Sequence, residues 1–210
     1  MQLPLYGLYA ITDSDLIPAA QFIETIEQAI MGGAQVIQYR DKSHDKVRQL
    51  EQAQAIRDLC QKYQIPFLIN DNVALAQQVE ADGVHLGNND VEIATARILL
   101  GDDAIIGASC YNQMDLARQA LEEGATYVAF GRFFDSATKP EAVHASVDLL
   151  REAKEIFDCP LVAIGGITPD NGAELIAAGA DCLAVIQGVF GQTDVITAAQ
   201  RYAQLFPEQT

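Results

Sequence analysis

The sequence predicts a (β/α)8 TIM barrel forming a single domain over residues 1–210, with its core from about residue 8 to 205. Three observations carry this expectation. Strand-like runs begin near Leu8, Gln35, Pro66, Asp82, Ala104, Thr126, Pro160 and Asp181, separated by segments of helical periodicity. The runs are nearly continuously apolar rather than alternating, as expected of parallel strands buried on both faces. Seven of them end on residues able to hold a phosphate, a metal or a polar substrate, as happens when parallel strands empty onto one functional face.

In chain order, Tyr9-Ala10-Ile11-Thr12-Asp13-Ser14 closes the first run and lacks the glycine-rich turn that a dinucleotide-binding open sheet requires. The second run ends Gln38-Tyr39-Arg40-Asp41-Lys42. A helix is expected from Asp45 to Tyr63, with Val47, Leu50, Ile56, Leu59, Cys60 and Tyr63 on one face. The third and fourth runs end Ile69-Asn70-Asp71 and His85-Leu86-Gly87-Asn88-Asn89-Asp90. The fifth closes on Gly107-Ala108-Ser109, with Asn112 and Asp115 as a capping pair for the next helix. The sixth, ending at Gly131, leads into the longest connection, Phe134 to Pro140. A helix through Val147, Leu150, Lys154 and Phe157 follows. The seventh ends Gly165-Gly166, with Thr168-Pro169 as a helix start, and the eighth ends Ile186-Gln187-Gly188. Gly33, Gly124 and Gly179 stand where helix C-caps are expected.

Half of the 210 residues are apolar, enough for one substantial core. No linker-like or low-complexity stretch divides the chain. The first residues lack the pattern of a signal peptide, and no run of about 18 apolar residues is present, so a soluble, non-membrane protein is expected. Cys60, Cys110, Cys159 and Cys182 show no metal-knuckle spacing and read as buried thiols of a reducing, cytoplasmic compartment. The net charge of −16 argues against nucleic acid and anionic lipid as partners. It also makes convergence of Arg40, Lys42 and Lys139 informative, because a positive pocket in a negative molecule suits an anionic small ligand.

Gln38, Arg40 and Lys42 alternate, so on an extended segment they share one side and can grip a diphosphate, Arg40 bidentately and Lys42 as a point charge. A solvated charged loop is the competing reading. Asp71 and Asp90 end neighbouring units and can share Mg²⁺, a hard cation that takes one or two carboxylates plus phosphate oxygens. Each also precedes a helix and suits an N-cap. Gly165-Gly166 and the Ile186-Gln187-Gly188 turn lie where barrels often bind phosphate. Ser136 and Thr138 alternate as hydroxyl donors beside Lys139, in a loop long enough to clamp a ligand. Ser109 reads as a hydrogen-bond donor, since neither a nucleophile elbow nor a triad accompanies it. His85, within a strand, reads as a satisfied core residue, and His44 and His144 as loop residues.

Taken together and in this order, Gln38-Tyr39-Arg40-Asp41-Lys42, Ile69-Asn70-Asp71, Gly83-Val84-His85-Leu86-Gly87, Ser109, Thr138-Lys139-Pro140 and Ala163-Ile164-Gly165-Gly166-Ile167 resemble the thiamine-phosphate synthase family, over about Leu8 to Phe190. The resemblance implies a (β/α)8 barrel and a Mg²⁺-dependent transferase that joins hydroxymethylpyrimidine diphosphate to hydroxyethylthiazole phosphate, releasing diphosphate. Its partners are then two small phosphorylated substrates.

Carried over position by position, Gln38, Tyr39, Arg40, Asp41, Lys42, Asn70, Ser109 and Lys139 hold the pyrimidine diphosphate, with Arg40, Lys42, Ser109 and Lys139 in the catalytic set. Asp71 and Asp90 carry Mg²⁺. Ser136, Ala137, Thr138, Gly166, Ile186 and Gln187 hold the thiazole phosphate. The chain departs from the family pattern at Gln187, where a small hydroxyl residue is usual, at Asn88-Asn89, and at Arg132, which replaces a frequent proline. A thiazole tautomerase of the same fold has no need of the clamp or the carboxylates. A non-catalytic phosphate-binding barrel is the alternative from another class, and a phosphosugar epimerase leaves Arg40 and Lys42 unexplained. The helical exterior leaves room for a homodimer, although no patch marks the contact.

Overall fold

Parallel strands whose two faces are both apolar must be covered on both sides, and closing the sheet on itself does so. In the computed structural model, which describes residues 5–135 and 143–207, eight strands form a closed barrel in the order β1 to β8, every pairing parallel. They are β1 Gly7–Ile11, β2 Ala34–Tyr39, β3 Phe67–Asn70, β4 Gly83–Leu86, β5 Ile105–Tyr111, β6 Tyr127–Gly131, β7 Leu161–Ile164 and β8 Cys182–Val185. The barrel closes where Gly7 pairs with Cys182 and Leu8 with Leu183.

Period-two alternation along these strands produces two apolar layers. Tyr9, Val36, Leu68, Ile105, Tyr127, Val162 and Cys182 fill the barrel interior. Leu8, Ile37, Ile69, Val84, Ile106, Val128 and Leu183 face the helices. Both sets are apolar, so the sequence runs look unbroken.

The helices are α1 Phe22–Met31, α2 Lys46–Tyr63, α3 Val73–Val79, α4 Ile93–Leu100, α5 Met114–Glu122, α6 Val147–Ile156, α7 Gly172–Ala177, α8 Gln187–Phe190 and α9 Val195–Ala203, with a short 3-10 turn at Ala19–Gln21. Asp45 caps α2 by accepting from the Arg48 N–H at 3.0 Å. Gly33, Gly124 and Gly179 follow their helices with φ of 104°, 100° and 111°, the left-handed stop expected of them.

Three local expectations need correction. Val47 is 68% exposed. Gln49 is buried in α2 instead, because its amide donates to the carbonyls of Asp41 and Ser43 and ties the helix to the end of β2. Asn112 does not cap α5; its amide donates to the His144 carbonyl. Thr168-Pro169 forms a turn closed by Asn171, and α7 starts only at Gly172. Among the described residues, no helix is long and apolar enough to cross a membrane. The four cysteines are free.

Candidate active site

The C-terminal ends of the strands surround a cavity of about 600 Å³. Alternation along β2 decides what faces it. Gln38, Arg40 and Lys42 line the cavity, whereas Tyr39 and Asp41 do not. The Tyr39 ring packs edge-on against Phe22, and its hydroxyl donates to Gln52 Oε1 at 2.9 Å. The Asp41 side chain is 1% exposed. It accepts from the Ser43 N–H at 2.7 Å and from Arg48 Nη2 at 3.1 Å. The structure therefore places Tyr39 and Asp41 behind the clamp, among groups that fix the loop. Arg40 is braced from β1: Thr12 Oγ1 accepts from its N–H at 2.9 Å, and Asp13 Oδ2 lies 3.0 Å from Nη1.

Asn70, Asp71 and Asp90 also line the cavity. Capping of α3 falls to Asn72, which accepts from the Leu75 N–H at 3.0 Å, so Asp71 is not spent on the helix. Likewise the N-cap of α4 is Glu92, which makes no side-chain capping bond, and Asp90 Oδ2 accepts from the Gly87 N–H at 2.7 Å. Asp71 has φ of 63°, and its N–H donates to the His85 carbonyl at 2.9 Å, which locks the end of β3 onto β4. Lys42 Nζ lies 2.5 Å from Asp71 Oδ2.

The two carboxyls interact. Burial favours protonation of Asp71, but Lys42 and a hydrogen bond from Asp90 hold its pKa below the ordinary value. Burial raises Asp90 and the neighbouring Asp71 charge raises it further, against the Gly87 N–H. Like charges held this close favour a cation or a shared proton. Among the described residues no group of three or more His, Cys, Asp or Glu offers a metal cage. What exists is an open pair of hard oxygen donors.

Across the cavity, Ser109 Oγ lies 2.9 Å from His85 Nε2. Gly165 and Gly166 have φ of 100° and 66°, and a Cβ on Gly166 would lie 2.3 Å from the Asp135 carbonyl oxygen. Ile186, Gln187 and Gly188 line the same wall. Arg132 joins them, its side chain 12% exposed and 3.6 Å from Asp135. Lys139, Ser136, Ala137 and Thr138 lie outside the described residues.

Sequence reasoning did not bring Tyr9, Asp13 or His85 into the site. His85 pairs in register with Asn70 on β3 and Gly107 on β5, so the inward parity of Asn70 is the signal that could have found it.

Comparison with known proteins identifies the family and the fold. Residues 8–189 match the family described as thiamine monophosphate synthase. The thiamine-phosphate synthase of Nitrosococcus oceani is 48% identical over 207 residues, covering 99% of this chain and 95% of that protein. That of Saccharophagus degradans is 50% identical over 203 residues, covering 96% and 94%. Among solved structures, the thiamine phosphate pyrophosphorylase of Pyrococcus furiosus superposes with a TM-score of 0.86 at 35% identity, covering 96% of this chain and 95% of that one.

Proposed function

The chain belongs to the thiamine monophosphate synthase family and is a transferase of thiamine biosynthesis; from that premise we propose that it joins hydroxymethylpyrimidine diphosphate to hydroxyethylthiazole phosphate by Mg²⁺-assisted departure of diphosphate. The carrying observation is that Arg40, Lys42, Asp71 and Asp90 line one cavity, with the Lys42 ammonium against the Asp71 carboxylate.

In the proposed reaction the C–O bond to diphosphate breaks with its electron pair leaving on oxygen. The thiazole nitrogen then supplies the pair for the new C–N bond. Its lone pair is free at neutral pH, so the reaction needs no strong base. Charge accumulates on the leaving group, and Arg40 and Lys42 are aimed to take it. Arg40 is held in place by Asp13 and Thr12, so little reorganisation accompanies binding. Asp71 and Asp90 fit Mg²⁺ as hard donors whose mutual repulsion a cation relieves. Bound there, the ion would neutralise diphosphate oxygens as a Lewis acid.

Gln38 and Ser109 would orient the pyrimidine from opposite walls, and Lys139 would add charge from the loop. Gly166, Ile186 and Gln187, with Ser136, Ala137 and Thr138, would hold the thiazole phosphate, setting the two rings in line. Burial pushes the Cys60 and Cys110 thiols to about 12, which keeps them protonated and inert. Four free thiols suit a cytoplasmic location.

Diphosphate release, assayed with each substrate alone and with both, with and without Mg²⁺, tests this reading. Release is expected only when both substrates and the ion are present. Thiazole isomerisation without diphosphate release would instead make the chain a tautomerase, and binding without turnover a sensor.

A further inference from the structure

A line of five polar side chains crosses the barrel interior along the floor of the cavity. Gln38 Nε2 donates to the Tyr9 hydroxyl at 2.7 Å. The Tyr9 and Tyr127 hydroxyls are 2.8 Å apart. Tyr127 Oη lies 2.8 Å from His85 Nδ1, and His85 Nε2 lies 2.9 Å from Ser109 Oγ. The five residues come from five different strands, and four of them, Gln38 and Ser109 at the ends with Tyr9 and His85 between, line the cavity.

The line is built into the fold. Tyr9 and Tyr127 are 1% and 0% exposed, so a hydroxyl left unpaired there would be costly. The His85 and Tyr127 rings stack at 5.7 Å, which fixes the imidazole plane. At Gly107, a Cβ would fall 2.0 Å from Tyr127 Cζ, so β5 carries no side chain where the phenol crosses.

Proton counting restricts such a line. Burial pushes both phenols far above their ordinary pKa, so each keeps one proton to donate. A neutral imidazole donates through one nitrogen and accepts through the other. With the imidazole neutral, only two self-consistent directions exist, and reversing one bond reverses all. With the Gln38 amide N–H donating to Tyr9, Tyr9 donates to Tyr127, Tyr127 to His85 Nδ1, and His85 Nε2–H to Ser109. The Ser109 hydroxyl proton is left for the cavity, and the Gln38 carbonyl oxygen is left as an acceptor.

We propose that His85 is a positioning residue that transmits this direction, making Ser109 a donor and Gln38 an acceptor toward a substrate that offers a lone pair to the β5 wall and an N–H to the β2 wall. An aminopyrimidine diphosphate has that complement, and this identification rests on the functional reading above. The line also couples the two walls: Gln38 cannot switch from acceptor to donor without Ser109 switching the opposite way.

Tyr127→Phe deletes one oxygen from the middle of the line and keeps the ring. Nitrogen-15 spectra of the free protein, with His85 assigned by the resonances lost in His85→Gln, should show Nδ1 unprotonated and Nε2 protonated in the wild type. Tyr127→Phe should give a mixed tautomer and lower kcat for diphosphate release about tenfold, with KM for the thiazole phosphate unchanged. Tyr9→Phe leaves the Tyr127 to His85 bond intact and should have a smaller effect on both readouts. A protonated Nδ1 in the wild type, or a Tyr127→Phe enzyme with unaltered tautomer and kcat, would overturn the proposal. If the wild type released no diphosphate, the functional reading and the substrate named here would fall, while the imidazole spectrum would still decide the direction of the line.

Discussion

Replacing Asp71 by asparagine separates charge from geometry at the proposed ion site. The backbone there has φ of 63°, a left-handed conformation that asparagine tolerates about as well as aspartate. Its N–H bond to the His85 carbonyl does not involve the side chain. The lost ion pair is with a Lys42 side chain that is 58% exposed. Stability should therefore fall by no more than about 1 kcal/mol, or roughly 2–4 °C in Tm. The effect on the ion is larger. A unit-charge pair at about 4 Å near a protein surface is worth about 4 kcal/mol, and a partly solvated site keeps roughly half of that. At 1.4 kcal/mol per decade, the Mg²⁺ concentration for half-maximal rate should rise about 30-fold. Diphosphate release followed across a Mg²⁺ titration at saturating substrates measures this.

The same variant has a signed pH signature. Asp90 is raised, first by burial and then by the Asp71 charge. Its favourable share of stability is present below the ordinary carboxylate pKa and is lost as pH rises through the raised value. Binding of the ion needs both carboxyls deprotonated, so Mg²⁺ affinity should climb with pH through that same value. Asp71→Asn removes part of the cause, so the climb should move to lower pH. An Asp71→Asn enzyme with wild-type Mg²⁺ dependence would refute the ion site, and a Tm drop beyond about 10 °C would refute the backbone reasoning.

Asp41→Asn should destabilise by about 1–3 kcal/mol with KM for both substrates unchanged, because its carboxylate braces the loop from behind. Burial raises this carboxyl, but the Ser43 N–H and Arg48 outweigh it and hold it low. Its contribution is thus present above the unfolded pKa and lost as pH falls, and the variant should show a flatter acid limb in thermal melts; a raised KM would return Asp41 to the substrate. Gly166→Ala forces a side chain into φ of 66° with the Asp135 carbonyl oxygen 2.3 Å away. KM for the thiazole phosphate should rise about tenfold from the strain and displacement, and an unchanged KM in steady-state assays would remove this turn from the phosphate site.

Much of the barrel was legible because burial on both faces leaves a plain mark, eight apolar runs separated by helical segments. The clamp was legible for the related reason that alternation along β2 puts Gln38, Arg40 and Lys42 on one side. Reading the segment as one contiguous motif obscured that same alternation and drew in Tyr39 and Asp41, which face the helices. Capping was ambiguous wherever polar residues adjoin: Asp71 and Asn72 are both good caps, and only the path of the chain assigns the role to Asn72. His85 was illegible by itself. A lone histidine in an apolar strand gives no sign of which face it occupies until register with β3 and β5 is known.

The acidic character of the chain and its anionic substrates are reconciled at the cavity mouth. Each described clamp cation already has a carboxylate partner, Arg40 with Asp13 and Lys42 with Asp71. A bare diphosphate arriving at a molecule of net charge −16 must compete with those carboxylates. In the proposed reaction Mg²⁺ held by Asp71 and Asp90 would change the balance, because Asp71 would then be engaged and Lys42 left to the diphosphate. Binding of ion and substrate is then mutually reinforcing, and linkage makes the reinforcement equal in both directions. Asp71→Asn releases Lys42 without the ion. Its Mg²⁺ requirement should therefore rise, and so should its affinity for the diphosphate substrate in the absence of Mg²⁺. A simple loss of one ligand from an otherwise independent ion site would leave that metal-free affinity with no reason to change in either direction.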